Sequence, residues 1–178
     1  VKPADDNSRR RPAILLTGRP GIGKTTVIRR LADLLGGKAL AGFYTAEIRV
    51  GRQRQGFEIR TFSGTTAVLA HTNVDSPHCV GRYGVDVEAF EKTVLPELAR
   101  PADVLLIDEI GKMECFSDRF VQAMRKLLNE AVPLVAAVAL SGPGFIAEVK
   151  RRPDVELRHV TAQNRDELPG QLANLVAP

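Results

Sequence analysis

Cysteine is scarce in this 178-residue chain: there are two, Cys79 and Cys115. Two cysteines make no disulfide framework, and no secretory signal pattern opens the sequence, so a reducing cytoplasm is the expected location. Long apolar runs are also missing. The longest, Ala131 to Leu140, contains Pro133 and is far too short to span a bilayer. Aromatic residues make up 5%, and no aromatic ladder accompanies the basic residues, which weakens any reading as a single-strand nucleic-acid binder. His71, His78 and Cys79 match no zinc spacing and lack a fourth ligand. There is no internal repeat, no low-complexity tract and no linker. What is left is a globular composition, 44% hydrophobic, long enough to bury a core. Residues 1–12 are polar and charged and read as a loose arm; residues 13–178 read as one domain.

Net charge is +4, and arginines supply 18 of the 25 basic residues. They are scattered except for Arg49, Arg52, Arg54 and Arg60. That cluster fits a polyanion only weakly, because turn arginines are solvated by default.

The chemistry begins at Gly18-Arg19-Pro20-Gly21-Ile22-Gly23-Lys24-Thr25, which fits G-x-x-x-x-G-K-[ST] with no mismatch. The apolar run Ala13–Leu16 before it reads as a buried strand. After it, Val27, Ile28, Leu31, Leu34 and Leu35 recur at helical spacing. Glycines let the backbone turn its N–H groups toward phosphate oxygens, and the helix start aims its positive end at the same spot. Lys24 adds a charge for the β- and γ-phosphates, and the Thr25 hydroxyl suits Mg²⁺, a cation that prefers oxygen. Thr26 continues the loop. Arg19 either touches phosphate or faces solvent.

Gly42–Val50, a turn at 51–55 and Gly56–Phe62 read as an antiparallel hairpin, followed by a short strand over Thr66–Ala70. Residues 71–85 read as loop. Asp86 caps a helix whose stripe is Val87, Phe90, Val94 and Leu98, and Pro96 predicts a kink or early end. Val104–Ile107 is apolar without alternation, so it reads as a strand buried on both faces, ending at Asp108-Glu109. Ser117 caps the next helix, Leu134–Leu140 is another buried strand, Phe145–Lys150 one or two helical turns, and Val155–Val160 a last strand. Asp166 is expected as the final N-cap, with Pro169 at the third helical position. Thr161, Asn164 and Arg165 then fall in a strand-to-helix loop, where open α/β sheets bind ligands.

An acidic strand end downstream of a phosphate loop is the second half of a nucleotide site. Asp108 is expected to hold Mg²⁺ through water, and Glu109 to take a proton from the attacking water. Lys112 either stabilises charge at the γ-phosphate or is a surface lysine; Arg82, Arg119, Arg151 and Arg152 are other candidate fingers.

Together these stretches resemble the small nucleoside-triphosphatases of thermophiles and their animal relative, the cancer-related nucleoside-triphosphatase. The resemblance rests on Thr17–Thr26, Gly42-Phe43-Tyr44-Thr45 with Gly56-Phe57, Val80-Gly81-Arg82-Tyr83 with Val85-Asp86, and Phe90-Glu91. Ile107-Asp108-Glu109-Ile110-Gly111-Lys112-Met113-Glu114 is the most specific block, and Val160-Thr161 with Asn164-Arg165 closes the match. Cys115 and Arg19 are small departures. The resemblance implies a RecA-like α/β P-loop sandwich, its sheet mostly parallel with an antiparallel hairpin portion, and Mg²⁺-dependent hydrolysis of nucleoside triphosphates with loose base selectivity. Gly18 to Thr26 would bind phosphates, Lys24, Glu109 and Lys112 would be catalytic, Thr25 and Asp108 would hold the metal, and Asn164 and Arg165 would contact base or ribose. A monomer without membrane attachment is expected. The rival readings are a nucleotide or small-molecule kinase, a nucleic-acid-stimulated ATPase, and a nucleotide-switched binding module.

Overall fold

Side chains of the central strands alternate between two cores in a way that the sequence hides. In the computed structural model, which describes residues 13–176, strand β1 (Ala13–Thr17) is buried along its whole length. Leu15 faces one core and Ile14 and Leu16 face another. Strand β7 (Val104–Ile110) does the same, with Leu105 and Ile107 on one side and Val104 and Leu106 on the other. Helices therefore cover both faces, which is why these strands read as unbroken apolar runs. The expected arm at 1–12 lies outside the described residues.

One face carries α1 (Lys24–Leu34) and α5 (Leu168–Val176), whose Val27, Ile28, Leu31, Leu172 and Val176 pack on Ile14, Leu16, Leu106 and Val135. The other carries α2 (Val87–Leu98), α3 (Asp118–Leu127) and α4 (Phe145–Lys150). Its centre is an edge-to-face aromatic trio. Phe43 and Phe90 have ring centroids 5.9 Å apart, Phe43 and Phe120 6.1 Å, and Phe90 and Phe120 5.2 Å. Each such ring contributes roughly 2–3 kcal/mol of burial.

The remaining strands are β2 (Leu40–Val50), β3 (Gln53–Thr61), β4 (Thr66–His71), β5 (Cys79–Val80), β6 (Tyr83–Val85), β8 (Leu134–Val138) and β9 (Val155–His159). They join one nine-stranded sheet in the order β5-β6-β4-β3-β2-β7-β8-β1-β9. From β2 to β9 the pairing is parallel. From β2 outward through β3, β4, β6 and β5 it is antiparallel. The antiparallel portion is thus larger than a hairpin. Its β2–β3 turn is tighter than expected, since β3 begins at Gln53. Residues 71–85 are not all loop either. Cys79 and Val80 pair with Gly84 and Tyr83, and β6 adds to the edge of β4. Strands of two and three residues carry no readable alternation.

Several end signals hold. Asp86 accepts the Ala89 N–H at 2.8 Å, and Ser117 Oγ accepts that of Phe120 at 2.9 Å. Pro96 stands inside α2, which continues to Leu98. So near the C-terminus the lost N–H bond does not stop the helix. The expected cap at Asp166 is not formed. Its carboxylate pairs with Arg30 at 2.8 Å, and α5 starts at Leu168, with Pro169 its second residue. The final strands run to Val138 and His159, short of Leu140 and Val160.

Gly42 is where β2 passes closest to β7. At its φ of +115° a Cβ would lie 1.9 Å from the Leu106 carbonyl oxygen, so only glycine fits. Among the described residues, no helix is long and apolar enough to cross a membrane.

Candidate active site

The carboxyl ends of β1, β7 and β2 converge on one cavity of about 620 Å³. It is lined by the phosphate loop from Pro20 to Thr26 (Ile22 apart), by Thr45 and Glu47, by Glu109, and by Gly111 to Glu114. This is the crevice an open α/β sheet offers to ligands. A second cavity, of about 490 Å³, lies at the opposite end between α2 and α3. Its walls are Leu95, Leu98, Pro101, Leu105 and Leu127, with Arg100, Lys126 and Glu130 at the edge, and none of the motif residues reaches it.

The loop has the geometry that its glycines permit. Gly21 and Gly23 have φ of +75° and +111°, and Gly23 caps α1. Arg19 and Pro20 are exposed, Ile22 half-buried, and Gly18 buried beneath them. Lys24 is 8% exposed. Its Nζ curls back to donate to the Gly18 carbonyl at 3.2 Å and stands 3.9 Å from Glu109 Oε1. A buried ammonium so placed needs anionic company.

Asp108 is 2% exposed. Burial pushes its carboxyl above the usual carboxylate range, while hydrogen bonds from Thr25 and Thr45 and the charge of Lys24 pull the other way. Thr45 contributes twice, its N–H and its hydroxyl each donating to Oδ2 at 3.3 Å. Glu109 is half-buried beside it and is also raised, mainly by burial, against the opposing charges of Lys24 and Lys150. The acid pair lies within β7 rather than beyond it, since the strand continues to Ile110. Its register with β8 shifts between Ile107 and Ile110, which puts an extra residue on β7 at the pair. Such bulges re-aim side chains next to sites.

Lys112 is exposed on the cavity rim. Three of the four other candidate fingers are engaged elsewhere: Arg119 pairs with Glu91, Arg152 with Asp154, and Arg82 donates to the Arg54 carbonyl; Arg151 is exposed and does not line the cavity. Asn164 does not face the cavity with a free amide. Its Oδ1 accepts the Thr161 N–H and its Nδ2 donates to the His159 carbonyl, both at 2.8 Å, so it shapes the loop. Arg165 packs against the phosphate loop, donating to the Ile22 carbonyl at 3.3 Å. With Gly23, Thr26, Arg30 and Asp166 it lines a hollow of about 220 Å³. Two carboxylates offset half of the charge of the four-arginine hairpin cluster. Glu47 bonds Arg49 and Arg54, and Glu58 bonds Arg60. His71 accepts the Asn73 N–H and His78 stacks on Phe116. Among the described residues no three His, Cys, Asp or Glu side chains form a metal cluster.

Three residues here were absent from the expected site. Thr45 sits on Asp108. Lys150 feels Glu109 and Lys24. Glu114 is buried behind Glu109, where Oε2 accepts the Gly111 N–H at 3.2 Å. Its carboxyl is pushed up to about 8 by burial and by the neighbouring Glu109 and Asp108. Gly111 keeps the two glutamates close: a Cβ there would stand 2.8 Å from Glu114 Oε2 and 3.5 Å from Glu109 Cγ.

The model of the NTPase family matches residues 13–173. The nucleoside-triphosphatase THEP1 of Thermotoga maritima is 37% identical over 166 residues, covering 92% of this chain and 94% of that protein. The human cancer-related nucleoside-triphosphatase is 39% identical over 174 residues, covering 87% and 91%. The crystal structure of THEP1 from the hyperthermophile Aquifex aeolicus superposes with a TM-score of 0.85 at 33% identity, covering 93% of this chain and 99% of that one. With the family model and these relatives matched along almost its whole described length, the chain belongs to the NTPase family of THEP1-like and cancer-related nucleoside-triphosphatases.

Proposed function

We propose that this protein hydrolyses nucleoside triphosphates to diphosphate and phosphate, in a Mg²⁺-dependent reaction with loose base selectivity. One observation carries the reading: Glu109 Oε1 lies 3.9 Å from Lys24 Nζ across the mouth of the phosphate loop, with Asp108 beside it. A carboxylate poised there meets whatever attacks the γ-phosphorus.

The residues present fit a magnesium ion. Thr25 and Asp108 offer only hard oxygen donors, and a cation beside the buried Asp108 carboxyl would favour its ionised form against the cost of burial. Those two residues would hold the ion, which when bound would neutralise charge on the β- and γ-phosphate oxygens. The chain's own residues do the rest. The backbone N–H groups between Gly18 and Thr26 cradle the phosphates, with Arg19 and Ile22 contributing main chain alone and Pro20, which has no N–H, shaping the turn. Lys24 leaves the Gly18 carbonyl for the β- and γ-phosphates. Glu109 accepts the proton of the attacking water. Lys112 adds charge from the rim. Arg165 lies along the ribose or base, and Asn164 holds the loop that presents it.

The fold belongs to the same proposal: a RecA-like P-loop sandwich in one domain over residues 13–178, supported by β8 lying between β1 and β7. So do a monomeric state and a reducing cytoplasm, the latter in keeping with the free thiols of Cys79 and Cys115.

A second reading has one observation in its favour. The cavity extends past Glu109 to Arg54, Phe57, Leu69 and Val80, room that water alone does not need. A small-molecule acceptor there would make the protein a kinase. Nucleic-acid stimulation has less support, because carboxylates bond Arg49, Arg54 and Arg60. Phosphate release from ATP, GTP, CTP and UTP, with and without Mg²⁺ and RNA, tests all three. Release without any acceptor, dependent on Mg²⁺ and indifferent to RNA, is the expected result. Release that appears only with RNA, or ADP formed from ATP only with an added acceptor and without phosphate release, would overturn it.

A further inference from the structure

The structure ties Lys150 to the acid-bearing strand through a single residue. The Ala139 N–H donates to the Ile110 carbonyl at 3.1 Å, which anchors the end of β8 next to Glu109. On its other side, the Ala139 carbonyl accepts from Lys150 Nζ, as does the Leu140 carbonyl at 2.8 Å. Ala139 also lines the cavity that holds Lys24 and Glu109. Lys150 is the last residue of α4, whose Phe145, Ile146 and Val149 are buried, so the helix fixes where the ammonium stands.

The electrostatics agree with that geometry. Burial and the charge of Lys24 push the Lys150 ammonium down, and Glu109 pulls it up. The charges of two lysines, on α1 and α4, thus act on one half-buried carboxylate, Lys24 in contact with it and Lys150 from beyond ion-pair distance. Like charges brought together out of water are costly unless an anion joins them. A γ-phosphate in the loop would be that anion, and a diphosphate would leave the position empty.

We infer that Lys150 is a positioning residue for the γ-phosphoryl end of the site: it holds the strand end beside Glu109 and adds a second lysine charge behind Ala139, on the wall of the cavity. The ammonium is a carbonyl clamp before the triphosphate binds and part of the field around the γ-phosphate afterwards. The alternative is a plain strut, a lysine that closes a turn and nothing more. The inference rests on reading the cavity as the place of γ-phosphoryl hydrolysis.

The test compares Lys150→Met and Lys150→Arg with the parent. The readouts are steady-state phosphate release from ATP, and direct binding of ADP and of a non-hydrolysable ATP analogue. Lys150→Met is expected to lower kcat about tenfold to a hundredfold, below the usual loss of a transition-state donor because Lys24 is still present. It should weaken the analogue severalfold while ADP affinity stays within about twofold. Lys150→Arg should recover most of the turnover, since it restores charge and donors. The inference is overturned if Lys150→Met leaves kcat and the analogue-to-ADP affinity ratio at parent values. It is equally overturned if both variants lose ADP and analogue binding together, the signature of a strut. Thermal melting of each variant establishes that the folded protein is being read. A parent that binds nucleotide but releases no phosphate would sink the hydrolase reading alone, because the affinity ratio still reports on Lys150.

Discussion

Lys24 and Glu109 face each other at 3.9 Å, the lysine side chain 9% exposed and the glutamate 34%. The pair spans the phosphate loop and β7, so it exists only when both are in place. The buried ammonium donates to Gly18, and the more open carboxylate points into the cavity. That asymmetry suits a cation waiting for phosphate and a base waiting for water.

Glu109→Gln separates the two roles. The amide keeps the shape and loses the basicity. Turnover should fall by roughly 10²–10⁴, while affinity for a non-hydrolysable triphosphate holds or tightens, because a negative charge near the γ-phosphate is gone. Phosphate release and analogue binding measure both. Parent-like hydrolysis of ATP by the variant would mean that Glu109 is not the base.

Thr45→Val tests the support under Asp108. The hydroxyl bond to Oδ2 is lost, the N–H bond stays, and the buried carboxylate is less well held in its ionised form. The Mg²⁺ concentration for half-maximal activity should rise about fivefold, corresponding to a neutral-to-charged hydrogen bond of roughly 1 kcal/mol at this long distance. Superimposable Mg²⁺ titrations of variant and parent would remove Thr45 from the site.

Thr45 also marks the boundary of what the sequence discloses. The phosphate loop is contiguous, and its chemistry is local, so Gly18 to Thr26 can be read without a fold. Asp108 and Glu109 are legible because Val104 to Ile107 announces a strand buried on both faces. Thr45 lies 63 residues from Asp108. What joins them is the parallel register of β2 on β7, Gly42 opposite Leu106 and Phe43 opposite Ile107. No periodicity encodes a register between distant strands. Lys150 is hidden for the same reason, since its partners are carbonyls that any residue would supply. Asp166 and Asn164 show the converse. Both sit in a loop whose position is legible, yet Asp166 is committed to Arg30, which only the tertiary structure brings near, and Asn164 to backbone groups three and five residues back in its own loop.

Arg165 is the side chain of that loop which packs on the phosphate loop, close to Gly23 and bonded to Ile22. Arg165→Ala should raise KM for nucleotide about tenfold with kcat within about threefold, the pattern of uniform binding loss. The factor should be similar for ATP, GTP, CTP and UTP, because a guanidinium plane meets the face of any base. Unchanged KM values, or a change confined to one base, would place the nucleoside elsewhere.

Glu114 predicts a pH dependence of stability with a definite sign. Its folded-state carboxyl titrates at about 8, against 4.5 for an ordinary glutamate. A raised folded value means that the native state binds the proton more tightly than the unfolded chain, so between these two values stability falls as pH rises. Below about 4.5 the group is neutral in both states, and above about 8 it is charged in both and its penalty is complete. Glu114→Gln retains a carbonyl to accept the Gly111 N–H and has no charge to bury. Its stability relative to the parent should therefore increase between about pH 5 and pH 8.5, by an amount on the order of a few kcal/mol. Asp108 and Glu109 are also raised by burial and add a slope of the same sign. They are present in both proteins, so the difference between the two urea-unfolding series isolates Glu114 and its coupling to them. An offset between parent and variant that stays constant across that range would show that Glu114 is ionised in the folded protein at every pH tested, its charge met by a partner other than the Gly111 N–H.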